Sequence, residues 1–127
     1  DRFLYVADTG SSRVVRLDTT KGTKGASLDR RLEPLKDDAV MTGTALETVV
    51  PAGMLTKPSG IEIHGGLVYV TDAATSTFHV FDKMGTAVRS LATDLPPGSL
   101  AGFTFGPDKK IYFTDKRSGR VLRIDPQ

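Results

Sequence analysis

The 127-residue sequence predicts an all-β protein in which one unit of short antiparallel strands recurs along the chain. Three observations predict it. A register of one Tyr and two Asp residues appears three times with the same internal spacing. Short apolar runs of β-formers alternate with polar stretches of loop length. The chain also holds 13 Gly and 7 Pro, a supply that suits frequent turns.

The three units align residue by residue. The first reads Tyr5-Val6-Ala7-Asp8 and then Arg13-Val14-Val15-Arg16-Leu17-Asp18. The second reads Tyr69-Val70-Thr71-Asp72 and then Thr77-Phe78-His79-Val80-Phe81-Asp82. The third reads Tyr112-Phe113-Thr114-Asp115 and then Arg120-Val121-Leu122-Arg123-Ile124-Asp125. In each, the second Asp follows the first by ten positions. Leu4, Val68 and Ile111 precede the Tyr, and Val6, Val70 and Phe113 follow it, which are apolar runs expected of strands covered on both faces. Residues 9–12, 73–76 and 116–119 are the intervening hairpin loops. In the strand after each loop, Val14, Phe78 and Val121 hold one apolar column, and Leu17, Phe81 and Ile124 hold another.

A further strand precedes two of the units. Ile61-Glu62-Ile63, entered from Pro58-Ser59-Gly60, turns at Gly65-Gly66, a pair suited to a two-residue hairpin with positive φ. Phe103-Thr104-Phe105, entered from Leu100-Ala101-Gly102, turns at Gly106-Pro107-Asp108-Lys109. Residues 86–91 form a fourth strand of the middle unit, and Pro96-Pro97-Gly98 leads to the next. The step from Asp72 to Asp115 is 43 residues, whereas that from Asp8 to Asp72 is 64. The excess falls in a polar, charged segment, read as a loop insertion at about residues 19–46 with a closing strand near residues 47–50. Within it, the spacing of Leu28, Leu32 and Leu35 predicts one or two helical turns.

A 43-residue step matches the period of about 40–50 residues of four-stranded β-propeller blades. The motif at residues 5–18 resembles an NHL repeat, as does Pro58-Ser59-Gly60-Ile61 followed by Val68-Tyr69-Val70-Thr71-Asp72. Ile111-Tyr112-Phe113-Thr114-Asp115 also resembles the related YWTD repeat, with Phe113 where that family has Trp. The resemblance implies about three four-stranded blades of a propeller, part of a six-bladed ring and related to gluconolactonase-like propellers. Residues 1–127 are then one partial propeller. Its first blade covers about residues 1–50, its second about 58–92, and its third, incomplete, about 100–127. The first unit lacks an innermost strand and the third a fourth one. The ring is therefore expected to close through further chain before Asp1 or through a second copy.

The residues that carry chemistry are few. Asp8, Asp72 and Asp115 each end a strand at a loop and are read as structural carboxylates that accept loop N–H groups. Asp18, Asp82 and Asp125 are read as turn residues in the same way. Glu62, His64 and His79 are the candidate metal ligands, with His64 at a hairpin shoulder and His79 packed against an apolar face. The two histidines are expected on adjacent strands, but no third ligand is evident beside them. No Cys is present, which excludes disulfides and thiolate catalysis in this chain. Neither Ser76 nor Ser99 lies in a nucleophile elbow. Lys21-Gly22-Thr23-Lys24-Gly25 lacks the spacing of a phosphate loop.

Charge and hydropathy narrow the partners. Lys and Arg number 17 against 15 Asp and Glu, a net of +2 with the signs interspersed. That pattern argues against a nucleic-acid partner. No apolar run approaches the roughly 18 residues that span a membrane. The expectation is a non-enzymatic interaction or scaffold module that binds a protein, peptide or glycan through its loops. The alternative is a metal-dependent, lactonase-like hydrolase or lyase, with calcium or zinc in the channel of a complete ring. The resemblance also implies a periplasmic or extracellular location. The 19–46 insertion, where the chain leaves its own repeat, is a natural place for specificity.

Overall fold

The computed structural model describes residues 2–27 and 39–127. The helical turns expected at Leu28, Leu32 and Leu35 lie outside the described residues. Those described form twelve strands and no α-helix. Sheet I begins with β1 (Phe3–Asp8) and β2 (Arg13–Asp18). A separate two-stranded ribbon of β3 (Thr23–Ser27) and β4 (Ala39–Thr42) follows, and β5 (Leu46–Val50) then returns to pair with β2. Sheet II has the order β6 (Pro58–His64), β7 (Leu67–Asp72), β8 (Thr77–Asp82) and β9 (Ala87–Ala92). Sheet III has β10 (Leu100–Phe105), β11 (Ile111–Asp115) and β12 (Arg120–Ile124). All pairings are antiparallel. The protein is thus all-β, and none of these sheets closes on itself.

Turn chemistry sets the register. Gly65 and Gly66 have φ of 57° and 79°, a pair of positive values that closes the β6–β7 hairpin in two residues. Pairing of His64 with Leu67 then places Ile61 opposite Val70, and the next hairpin, through Asp72 and Thr77, places Val68 opposite Phe81. The register shifts between Pro58 and Ile61 in β6, and again between Leu100 and Phe103 in β10. A β-bulge with a Gly therefore recurs at the start of both strands. At Gly60 a side chain would be crowded, because a Cβ would lie 3.0 Å from Thr71 Oγ1 and 3.1 Å from Phe103.

Two hydrophobic clusters hold the sheets together. Val14, Val49, Val50 and Leu55 meet Val68, Val70 and Phe81 between sheets I and II. Tyr69, Phe78 and Val80 meet Leu100, Ile111 and Phe113 between sheets II and III. Alternate residues of β7 and β8 thus serve opposite faces, and sheet II is covered on both. At the β8–β9 turn, a Cβ on Gly85 would lie 1.8 Å from the Val49 carbonyl oxygen, so only glycine lets the turn seat against β5.

Two differences from the sequence reading have physical causes. Part of the 19–46 insertion is a strand ribbon and not a plain loop. Its residues are exposed on both faces, so no apolar alternation marks it in the sequence. Val121 shares a column with buried Phe78 but is 69% exposed. It lies on the face of sheet III turned away from sheet II, where the described residues place no further sheet.

Candidate functional site

The recurrent aspartates all end strands, and each binds its own loop. Asp8 accepts from Ser11 N at 3.3 Å and from Arg13 Nε at 2.8 Å. Asp115 accepts from Arg117 N at 3.0 Å, and also from Ser118 N and the Ser118 hydroxyl. Buried Asp72 does more. It accepts from Ala74 N in its loop at 3.0 Å, and from Thr56 N and Lys57 N in the linker before β6 at 2.7 and 3.1 Å. Asp18 and Asp82 accept turn N–H groups of Thr20, Met84 and Thr86, and Asp125 accepts from Gln127 N. The Arg13 hydrogen bond lowers the Asp8 pKa, the Arg2 hydrogen bond lowers that of Asp18, the Thr86 N–H lowers that of Asp82, and the Ser118 hydroxyl lowers that of Asp115.

A second recurrent position carries no sequence signature. Ser12 and Ser76 have φ of 52° and 51°, and Gly119, at the same place in the third unit, has 70°. Each serine hydroxyl reaches the linker that follows its own sheet. Ser12 Oγ donates to Thr56 O at 2.8 Å, and Ser76 Oγ donates to Pro96 O at 2.6 Å. Ser, Ser and Gly share only a tolerated left-handed backbone in a loop, which residue identity does not reveal.

Glu62, His64 and His79 do not converge. The sequence reading put the two histidines on adjacent strands, but β7 lies between β6 and β8. They also face opposite ways. His64 stacks on Phe105 of sheet III at 3.9 Å, whereas His79 stacks on Phe81, a member of the cluster facing sheet I. Glu62 shares the face of His64 and accepts from Phe105 N at 3.4 Å. Among the described residues no group of three or more His, Cys, Asp or Glu is placed to hold a metal.

His79 instead supplies a pH response. Burial pushes its pKa down, against the pull of the Asp72 charge. The unfolded chain takes up that proton more readily, so stability falls as pH drops below about 6.5. The depressed carboxylates add a loss below about pH 4, where the unfolded chain again binds more protons. His79→Leu is therefore expected to flatten the slope of stability between about pH 7 and pH 5 and to leave the acid limb in place. Urea titrations at each pH measure this, and an unchanged slope in the variant would contradict it.

A cleft of about 300 Å³ opens where sheets I and II part, lined by Arg2, Phe3, Tyr5, Arg16, Ile63 and Lys83. Strand register builds it. Tyr5, Arg16 and Glu47 lie in one row across β1, β2 and β5, and Phe3 and Asp18 lie two rows on, on the same face. Arg16 Nε donates to Glu47 at 2.8 Å, and Arg2 Nε donates to Asp18 at 2.8 Å. Both guanidinium groups lie over the Phe3 ring, at 5.2 Å for Arg2 and 4.7 Å for Arg16. Arg16 Nη1 also donates to the Lys83 carbonyl at 3.4 Å, tying sheet I to the β8–β9 turn. Sequence reasoning missed this cleft. Its available signal was faint: Arg16 stands in the column that Val80 fills in the second unit, but Arg123 fills it in the third.

No protein-family model matches this chain, and no curated protein matches it.

Proposed function

We propose that the chain is a non-enzymatic interaction module, an arc of an NHL-type β-propeller that binds a protein or peptide partner. The observation that carries this reading is the state of the two outer sheet faces. Sheet I exposes Leu4 at 52% and Leu46 at 57%, together with Val6. Leu4 and Val6 stand in the columns that sheets II and III bury as Val68 with Val70 and Ile111 with Phe113. Sheet III exposes Thr114 and Val121 in the columns that sheet II buries as Thr71 and Phe78. Each end thus offers a face of the kind that already holds two sheets together inside the chain. The outer edge of β12 is unpaired among the described residues, whereas β2 and β8 are covered at that edge by β5 and β9.

Such faces take another sheet of the same repeat, from the rest of a ring or from a second copy. Native mass spectrometry across a concentration series tests this. Association is expected, and Leu4→Lys or Val121→Lys is expected to weaken it at least tenfold without lowering the monomer's melting temperature. A chain that stays monomeric at every concentration, with both lysine variants behaving as wild type, would overturn the reading. The observed geometry gives the rival hydrolase reading no comparable support. Glu62 and His64 face sheet III, and His79 faces sheet I.

A further inference from the structure

The repeat supplies an internal control for the cleft between sheets I and II. The corresponding place between sheets II and III is filled by Leu67, Tyr69, Val80 and Phe105, all packed in one apolar cluster. Between sheets I and II the matching positions are Phe3, Tyr5, Arg16 and Ile63. Where sheet II has Val80, sheet I has a guanidinium, as the third unit does at Arg123, and here the packed layer gives way to a cleft. Arg16 spans part of the gap, through Glu47, the Phe3 ring and the Lys83 carbonyl, but leaves the rest of it open.

The donors there are only partly used. Asp18 takes the Nε and Nη2 groups of Arg2, and Glu47 takes Nε of Arg16. Arg2 Nη1 and Lys83 Nζ have no acceptor among the described residues. Among the described residues, the three cations that line the cleft have two carboxylate partners, Asp18 and Glu47, which leaves one positive charge in excess. The Phe3 ring and Ile63 supply an apolar wall beside those donors. A ligand that satisfies both sets carries one negative charge on an apolar or aromatic body.

We propose that this cleft binds a carboxylate carried on an apolar body, as an acidic residue or chain terminus of a partner peptide presents it. This inference rests on the interaction-module reading and names what the module recognises. The carboxylate would lie between Lys83 and the free edge of Arg2, with its apolar body on Phe3 and Ile63. Lys83 sits exposed on the β8–β9 turn, and its replacement removes no member of either buried cluster.

The test is an NMR titration of the full chain with N-acetylphenylalanine and, separately, with its uncharged amide. The acid is expected to shift the resonances of Phe3, Tyr5, Ile63 and Lys83 and to bind about tenfold more tightly than the amide. Lys83→Met should cut affinity for the acid by about tenfold, leave the amide unaffected and leave the melting temperature unchanged. Raised salt should weaken the acid alone. Equal binding of acid and amide, full affinity in Lys83→Met, or tighter binding of inorganic phosphate than of the acid would each overturn the assignment. Native mass spectrometry on the same samples separates the two proposals. End-face association that persists while the acid fails to bind removes the cleft assignment alone.

Discussion

Asp72→Ala is expected to lower the stability of the chain by about 3–5 kcal/mol, one of its two largest single-residue losses. The carboxylate accepts three backbone N–H groups, from Thr56, Lys57 and Ala74, and is 2% exposed. Alanine leaves those donors unpartnered, at about 1–3 kcal/mol for each one that stays buried. Relief of the carboxylate's own desolvation offsets part of this. Thr56 and Lys57 are exposed residues, so solvent can take over part of their hydrogen bonding, which holds the total within the stated range. Two of the three donors belong to the segment that carries the chain from sheet I to sheet II, so the loss falls on the junction as well as on the loop. Asp72→Asn retains one acceptor oxygen and should cost about half as much. Asp8→Ala removes only partly exposed hydrogen bonds and should cost less than Asp72→Ala. Urea denaturation of the three variants measures this order. An Asp72→Ala loss below about 1 kcal/mol would falsify the clamp.

Phe78→Ala should cost a similar amount, about 3–5 kcal/mol, by a different route. The ring is fully buried and meets Phe103 at 5.2 Å and Phe113 at 5.4 Å, both edge-on. Its loss removes transfer free energy and leaves a void between sheets II and III that the flanking strands cannot collapse to fill. Phe78→Leu keeps most of the volume and should cost about 1–2 kcal/mol. Val121 occupies the same column and is the built-in comparison. On the free face of sheet III, Val121→Ala should stay within about 0.5 kcal/mol of wild type. Equal losses at the two positions would mean that sheet III is covered on its outer face in solution.

Most of the strand plan is legible in the sequence because the chain states it three times. Tyr and Asp in a fixed register reveal where β1, β7 and β11 end, and Gly65-Gly66 gives away its hairpin. What repeats without a shared side chain is not legible. Ser12, Ser76 and Gly119 have in common a positive φ, which three different local sequences meet. The β3–β4 ribbon hides for the opposite reason. Neither of its faces is buried, so hydrophobic patterning has nothing to report. His64 and His79 mislead because sequence distance gives strand order but not the face. One residue of parity sends a side chain through the sheet, and only the observed pairing of His79 with Val70 and of His64 with Leu67 settles it. The cleft was half visible. Arg16 differs from Val80 but shares its column with Arg123, and neither Arg2 nor Lys83 falls in an aligned column.

The serine that crosses from each loop to the next linker also governs how the molecule comes apart. Ser12 and Ser76 fasten each sheet only to the segment that follows it, so coupling runs between neighbours. In a nearest-neighbour array the interior element is opened least often and the terminal ones fray first. Sheet II has a partner on each side, and its amides should be the last to exchange with solvent. Sheet III, whose glycine at position 119 offers no hydroxyl to pass the link onward, should be the first to let go.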